Sequence, residues 1–77
     1  MQIKLNYTGY LKFSGAETGA HLDVEEGSTL GDLLAGFDVA RDQQRFLRLF
    51  ANDEKVDSSY VLRDGDELTV IMQIGGG

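Results

Sequence analysis

The chain predicts an α+β domain in which a mixed sheet of four to five strands carries one main helix on one face. Three observations support this. Apolar and polar residues alternate in several short runs, one segment has helical spacing, and the order is two strands, a helix, then two or three strands. Seventy-seven residues, 42% of them hydrophobic, make one small domain with a modest core.

Residues 1–7 set Ile3, Leu5 and Tyr7 against Gln2, Lys4 and Asn6, the pattern of a half-buried first strand. Residues 8–20 carry Gly9, Gly15 and Gly19 around Tyr10, Leu11 and Phe13, a connection with room for a short helical turn near residues 10–13. Residues 21–26 alternate again, with Leu22 and Val24 inward, and are expected to pair with the first strand as a hairpin. Leu30, Leu33, Leu34 and Phe37 then follow i, i+3, i+4, i+7 spacing after Gly27-Ser28-Thr29. Ser28 or Thr29 is the expected N-cap, and Asp32 sits favourably in the first turn. Gly31 and Gly36 weaken this helix, and either mark close approach of its backbone to the sheet or are simply tolerated.

Residues 38–45 are polar and read as a loop or frayed extension. Residues 46–51 form a third strand with Leu47, Leu49 and Ala51 on one face and Phe46, Arg48 and Phe50 on the other. Asn52-Asp53 makes a turn, Lys55-Val56 gives a very short strand, and Tyr60-Val61-Leu62 covers the core before a turn at Asp64-Gly65. Residues 68–74 form the last strand. Leu68, Val70, Met72 and Ile74 share one face and Ile71 lies on the other, a two-sided apolarity that suits a central position. This order is that of the β-grasp, which divides the chain into a β-grasp domain at residues 1–74 and a flexible glycine tail at residues 75–77.

Composition excludes several function classes. A net charge of -6, with only seven scattered basic residues, opposes binding to nucleic-acid backbones or anionic membranes. No segment has transmembrane length and no secretory signal opens the chain, so a cytoplasmic protein is expected. Cysteine is absent and His21 is the lone histidine, so neither a thiolate nucleophile, a zinc site nor a Ser-His-Asp set can be assembled. Asp64-Gly65-Asp66-Glu67 is too short for a calcium loop, and no metal is expected. The remaining candidate is the glycine end itself. Gly75, Gly76 and Gly77 lack side chains, so the segment can enter a narrow channel and present a carboxylate there; the competing reading is a frayed end or a cloning remnant.

The Ile3-Lys4-Leu5 strand, the run Tyr10-Leu11-Lys12-Phe13-Ser14-Gly15, and Val24-Glu25-Glu26-Gly27-Ser28-Thr29-Leu30 with Asp32-Leu33-Leu34 resemble the ubiquitin-like sulfur carriers. So do Ala51-Asn52, Leu62-Arg63-Asp64-Gly65-Asp66-Glu67-Leu68 and the glycine end. That family includes the small subunit of molybdopterin synthase and the sulfur carrier of thiamine biosynthesis. The ending looks more like the thiamine type, whereas the length and residues 10–15 look more like the molybdopterin type.

The resemblance implies a protein that is not an enzyme but a co-substrate of its partners. An E1-like enzyme would use ATP to adenylate the Gly77 carboxylate, and a persulfide sulfur would displace AMP to leave a thiocarboxylate. A sulfur-accepting synthase, of the molybdopterin synthase large-subunit or thiazole synthase type, would then take the sulfur. Gly75 and Gly76 would line the partner's channel beside Ile74, and no cofactor would be bound by the carrier itself. Trimming by one residue would instead make Gly76 the reactive end. Two rivals share the fold: a ubiquitin-like modifier that joins its terminus to lysines, and a noncatalytic interaction domain.

Two surface readings complete the expectations. Alternation puts Phe46 and Phe50 beside Ile71 on the face away from the helix, as a partner-docking patch, unless the preceding loop covers Phe46. Asp64, Asp66 and Glu67 form either an ordinary solvated turn or a steering surface for a basic partner.

Overall fold

A computed structural model describes residues 1–7, 17–39 and 41–72. The elements run β1 (Gln2–Tyr7), β2 (Ala20–Asp23), α1 (Leu30–Gly36), α2 (Arg41–Gln44), β3 (Leu47–Ala51), β4 (Glu54–Val56) and β5 (Glu67–Met72). The strands form one five-stranded sheet in the order β2-β1-β5-β3-β4. β1 pairs antiparallel with β2 and parallel with β5, while β3 pairs antiparallel with β5 and β4. The two-sided apolar strand β5 is therefore the central one, and the mixed β-grasp sheet is present. The turn expected near residues 10–13 and the tail at residues 75–77 lie outside the described residues.

The core lies between α1 and the sheet. Ile3 and Leu5 of β1, Leu49 and Ala51 of β3, and Leu68 and Val70 of β5 are buried against Leu30 and Leu34 of α1, with Leu62 added from the long loop between β4 and β5, residues 57–66. Leu33 and Phe37, the other two members of the helical stripe, are partly buried against this cluster.

Of the two candidate caps, Thr29 is the one used. Its hydroxyl accepts from the Asp32 N–H at 3.1 Å, and the Asp32 carboxylate accepts from the Thr29 N–H at 3.0 Å, a complete capping box. The long loop supplies the other partners: the N–H groups of Leu30 and Gly31 donate to the carbonyls of Tyr60 and Ser58 at 2.9 and 2.8 Å. At the other end Val39 N–H reaches Leu34 O and Asp38 N–H reaches Ala35 O, both at 3.1 Å. This is a Schellman closure with Asp38 in the left-handed region at φ 65°.

Three expectations change. Residues 38–45 are not simply a polar loop, because residues 41–44 form the one-turn helix α2. Its Gln44 is 6% exposed and donates to the carbonyls of Gly31 and Val39 at 3.3 and 3.2 Å, which clamps α2 onto α1. Gly31 does mark a close approach, but to the long loop rather than the sheet. A Cβ there would lie 3.1 Å from Ser58 O and 3.3 Å from the Gln44 side-chain oxygen, whereas one at Gly36 would meet nothing within 4 Å. Within Tyr60-Val61-Leu62 the cover is uneven: Leu62 is buried, but Val61 is 52% exposed, its backbone engaged in a bridge to Thr29.

The β3–β4 turn is a two-residue hairpin in which Asn52 and Asp53 both have positive φ, 52° and 69°, as the right-handed twist of the flanking strands favours. Register then fixes which side chains face away from the helix. Arg48 stands opposite Ile71, Phe50 opposite Thr69 and Lys55, and Lys4 opposite Glu67 and His21.

Candidate functional site

β5 carries Ile71 and is the strand that precedes the glycine end in the chain. That strand is paired on both sides, to β1 and β3, and residues 73–77 follow it in the chain. Ile74, Gly75, Gly76 and Gly77 lie outside the described residues.

The face of the sheet away from α1 carries the other candidates. Phe50 and Ile71 are both half-buried. They are diagonal neighbours across the β3–β5 ladder, since Phe50 pairs with Thr69 and Ile71 lies two residues on. That separation is within reach of an aromatic ring. Phe46 precedes β3 and is 59% exposed, so the preceding loop does not cover it. The Arg45 guanidinium lies 5.1 Å from its ring centre, within cation–π range. Polar and charged neighbours surround this apolar group: Arg48, Lys55 and Thr69 on β3, β4 and β5, then Asn6 and Lys4 toward β1.

The three acids at the start of β5 are each tied into the fold. Asp64 accepts from the Gln2 N–H at 2.8 Å, and Glu67 accepts from the Asn6 amide at 2.8 Å with Lys4 Nζ 3.9 Å away. Asp66 departs from both expectations for this turn, because it is 5% exposed and neither solvated nor presented to a partner. One of its oxygens accepts from the Asn52 amide at 2.8 Å; the other accepts from Tyr60 OH at 2.8 Å and from the Arg63 N–H at 2.9 Å. Burial pushes its carboxyl upward, but the hydrogen bonds from Asn52, Tyr60 and Arg63, with the Arg63 charge, overcome this and hold it below the ordinary carboxylate value. The same contact raises Tyr60, whose proton is held by Asp66.

Sequence reading missed this network for a simple reason. Asn52, Tyr60 and Asp66 belong to three separate turns, and no spacing rule joins them. Gly65, at φ 84° inside a turn closed by Asp66 N–H to Arg63 O at 3.1 Å, was the available signal that the backbone reverses there. Among the described residues no group of three or more metal-ligating side chains is assembled. No helix among them is long and apolar enough to cross a membrane.

The chain superimposes on SAMP1 from Haloferax volcanii with a TM-score of 0.73 at 21% identity, covering all of both chains. It matches a chain of the complex of subunits 1 and 2 of the molybdopterin-converting factor from Helicobacter pylori with a TM-score of 0.64 at 20% identity, again over all of both chains. A ubiquitin from Caldiarchaeum subterraneum gives 0.59 at 21% identity over 100% of this chain and 98% of that one. These likenesses establish a ubiquitin-like β-grasp. The model of the ThiS family matches residues 10–77, from the β1–β2 connection through the glycine end, and the chain belongs to that family.

Proposed function

We propose that this protein is a sulfur carrier whose C-terminal glycine carboxylate is adenylated by an E1-like enzyme at the expense of ATP. Conversion to a thiocarboxylate follows, and the sulfur is donated in cofactor biosynthesis of the molybdopterin or thiamine type. The observation that carries this reading is the family match, which runs through the glycine end rather than stopping at the sheet. The fold supports it physically. β5 is held on both flanks, so its end is a fixed point from which a side-chain-free segment can reach into another protein. Adenylation converts a poor acyl donor into a good one, and every group needed for that step can belong to the partner. The carrier contributes a reachable carboxylate and a docking face, for which Phe46, Phe50 and Ile71 are the candidate contacts, with Ile74, Gly75 and Gly76 entering the partner's channel.

The experiment is ATP–pyrophosphate exchange with the cognate activating enzyme. Deleting Gly77, or appending one residue, moves the carboxyl carbon about 3.5 Å, enough to lose attack geometry on the phosphate. Both variants should unfold at the wild-type midpoint, because residues 75–77 bring no side chain to the core, and both should lose exchange. Gly76→Val keeps the reach but adds a branched side chain, and should also fail. Full activity in a folded variant with an extended terminus would refute the reading.

A second reading, a ubiquitin-like modifier, is favoured by the likeness to small archaeal modifier protein 1, with a TM-score of 0.73. Intact-mass measurement on protein from its own cells separates the two. Exchange of one oxygen for sulfur supports the carrier, and conjugates on other proteins support the modifier.

A further inference from the structure

We infer that a second recognition site lies in the cleft between α2 and the β3–β4 edge, and that it takes an acidic segment of a partner protein carrying a large aliphatic side chain. The cleft encloses about 590 Å³, within the range of pockets that hold a compact ligand. Leu47, Leu49 and Val56 line its apolar part. Arg45, Arg48 and Lys55 are also among its lining residues, the last two from strand positions on the sheet face that carries Phe50 and Ile71, so three of the chain's seven basic residues border it on a protein of net charge -6. Asp57 is the one acid among the lining residues, and its carboxylate is already engaged by the N–H and hydroxyl of Ser59.

Charge complementarity selects the occupant. A polyanion such as nucleic acid would gain three cations here while being repelled by the rest of the surface. A short peptide with a few carboxylates meets three cations against the single carboxylate of Asp57, and the apolar floor gives its aliphatic side chain somewhere to go. The site flanks the sheet face bearing Phe50 through Lys55, which pairs with Phe50 across the β3–β4 ladder, so one partner could span both.

The test titrates the full chain with a fluorescein-labelled peptide of four aspartates around a central pair of leucines. Binding is followed by anisotropy and by backbone amide shifts at about 150 mM salt, where exposed charges beyond about 8 Å are screened. Expected are saturable binding, shifts centred on Leu47, Leu49 and Val56, and a loss of about tenfold in the Arg48→Glu, Lys55→Glu double variant. Lys55→Glu alone, at an exposed position, should weaken binding in the same direction and guards against misfolding of the double variant. A chain lacking residues 75–77 should bind as wild type, which keeps this result separate from the carrier assay. No saturation, equal binding by a peptide with glycines in place of the leucines, or shifts confined to Phe50 and Ile71 would each overturn the inference. Self-association that Lys55→Glu abolishes would also overturn it, by giving the cleft to a second copy of the chain.

Discussion

Replacing Asp66 by asparagine removes one negative charge and turns one acceptor oxygen into a donor, a small change with a calculable cost. In the wild type one oxygen serves the Asn52 amide and the other serves Tyr60 OH and the Arg63 N–H. The new side chain can keep its oxygen toward Tyr60 and Arg63, but its amino group then faces the Asn52 amino group. Turning the Asn52 amide over relieves that clash and loses the bond from the Glu67 N–H, 3.0 Å to the Asn52 oxygen. Either way one bond is lost and two others cease to be charge-assisted, at a buried position, which costs about 2 kcal/mol. For a domain of this size the thermal midpoint should fall by about 10 °C, and the urea midpoint by about 2 M. The sign with pH is fixed by the direction of the shift. Asp66 is held below its ordinary value, so its ionised form contributes stability above the unfolded-state value near 4, and that contribution is lost as pH falls through the folded value. Urea melts of both proteins at pH 7 and at about pH 3 therefore test the argument, with the gap wide at pH 7 and narrower in acid. Equal midpoints at pH 7, or a gap that does not change with pH, would show that the carboxylate does not hold the turns together.

Other positions give independent checks. Gly31→Ala should destabilise by about 1 kcal/mol despite better helix propensity, because its Cβ meets the Ser58 carbonyl that the same residue's N–H holds in place, while Gly36→Ala should be stabilising by about 0.5 kcal/mol; a chemical melt of the pair reads the difference. Asp38→Gly, at φ 65° in the Schellman closure, should raise stability by about 0.5–1 kcal/mol, and a fall would mean the aspartate side chain matters there. Thr29→Ala breaks the capping box and should cost about 1 kcal/mol by the same assay. Under the proposed carrier function, Phe50→Ala should weaken binding to an activating enzyme or a sulfur acceptor while the protein still unfolds cooperatively; unchanged affinity in pull-down or calorimetry would remove Phe50 from the docking face.

The strands β1, β2, β3 and β5 and the helix α1 were readable because each buries one face, and a buried face stamps its period on the residues: two for Ile3 and Leu5 or Leu49 and Ala51, and 3.6 for Leu30 and Leu34. α2 was not, since four polar residues carry no period, and its existence depends on where Gln44 finds the carbonyls of Gly31 and Val39. The docking candidates divide in the same way. Alternation alone put Phe46 and Phe50 away from the helix, but that Phe50 sits diagonal to Ile71 follows from the β3–β5 register. The cleft bordered by Arg45, Arg48 and Lys55 had no sequence signal at all, because those residues come from a helix end and two strands whose adjacency is a product of folding.

Asp66 marks the boundary most clearly. Its run, Arg63-Asp64-Gly65-Asp66-Glu67, reads as a charged surface turn, and for Asp64 and Glu67 exposure is indeed what the structure shows. Whether a carboxylate in such a turn is solvated or buried depends on donors that arrive from elsewhere, here Asn52 and Tyr60 from two other turns. Composition, period and turn chemistry are local properties and determined the sheet, the helix, the acidic surface and the glycine end. Satisfaction of a buried charge is a nonlocal property, because its hydrogen-bond donors must come from segments distant in the chain, and only the tertiary structure decided it.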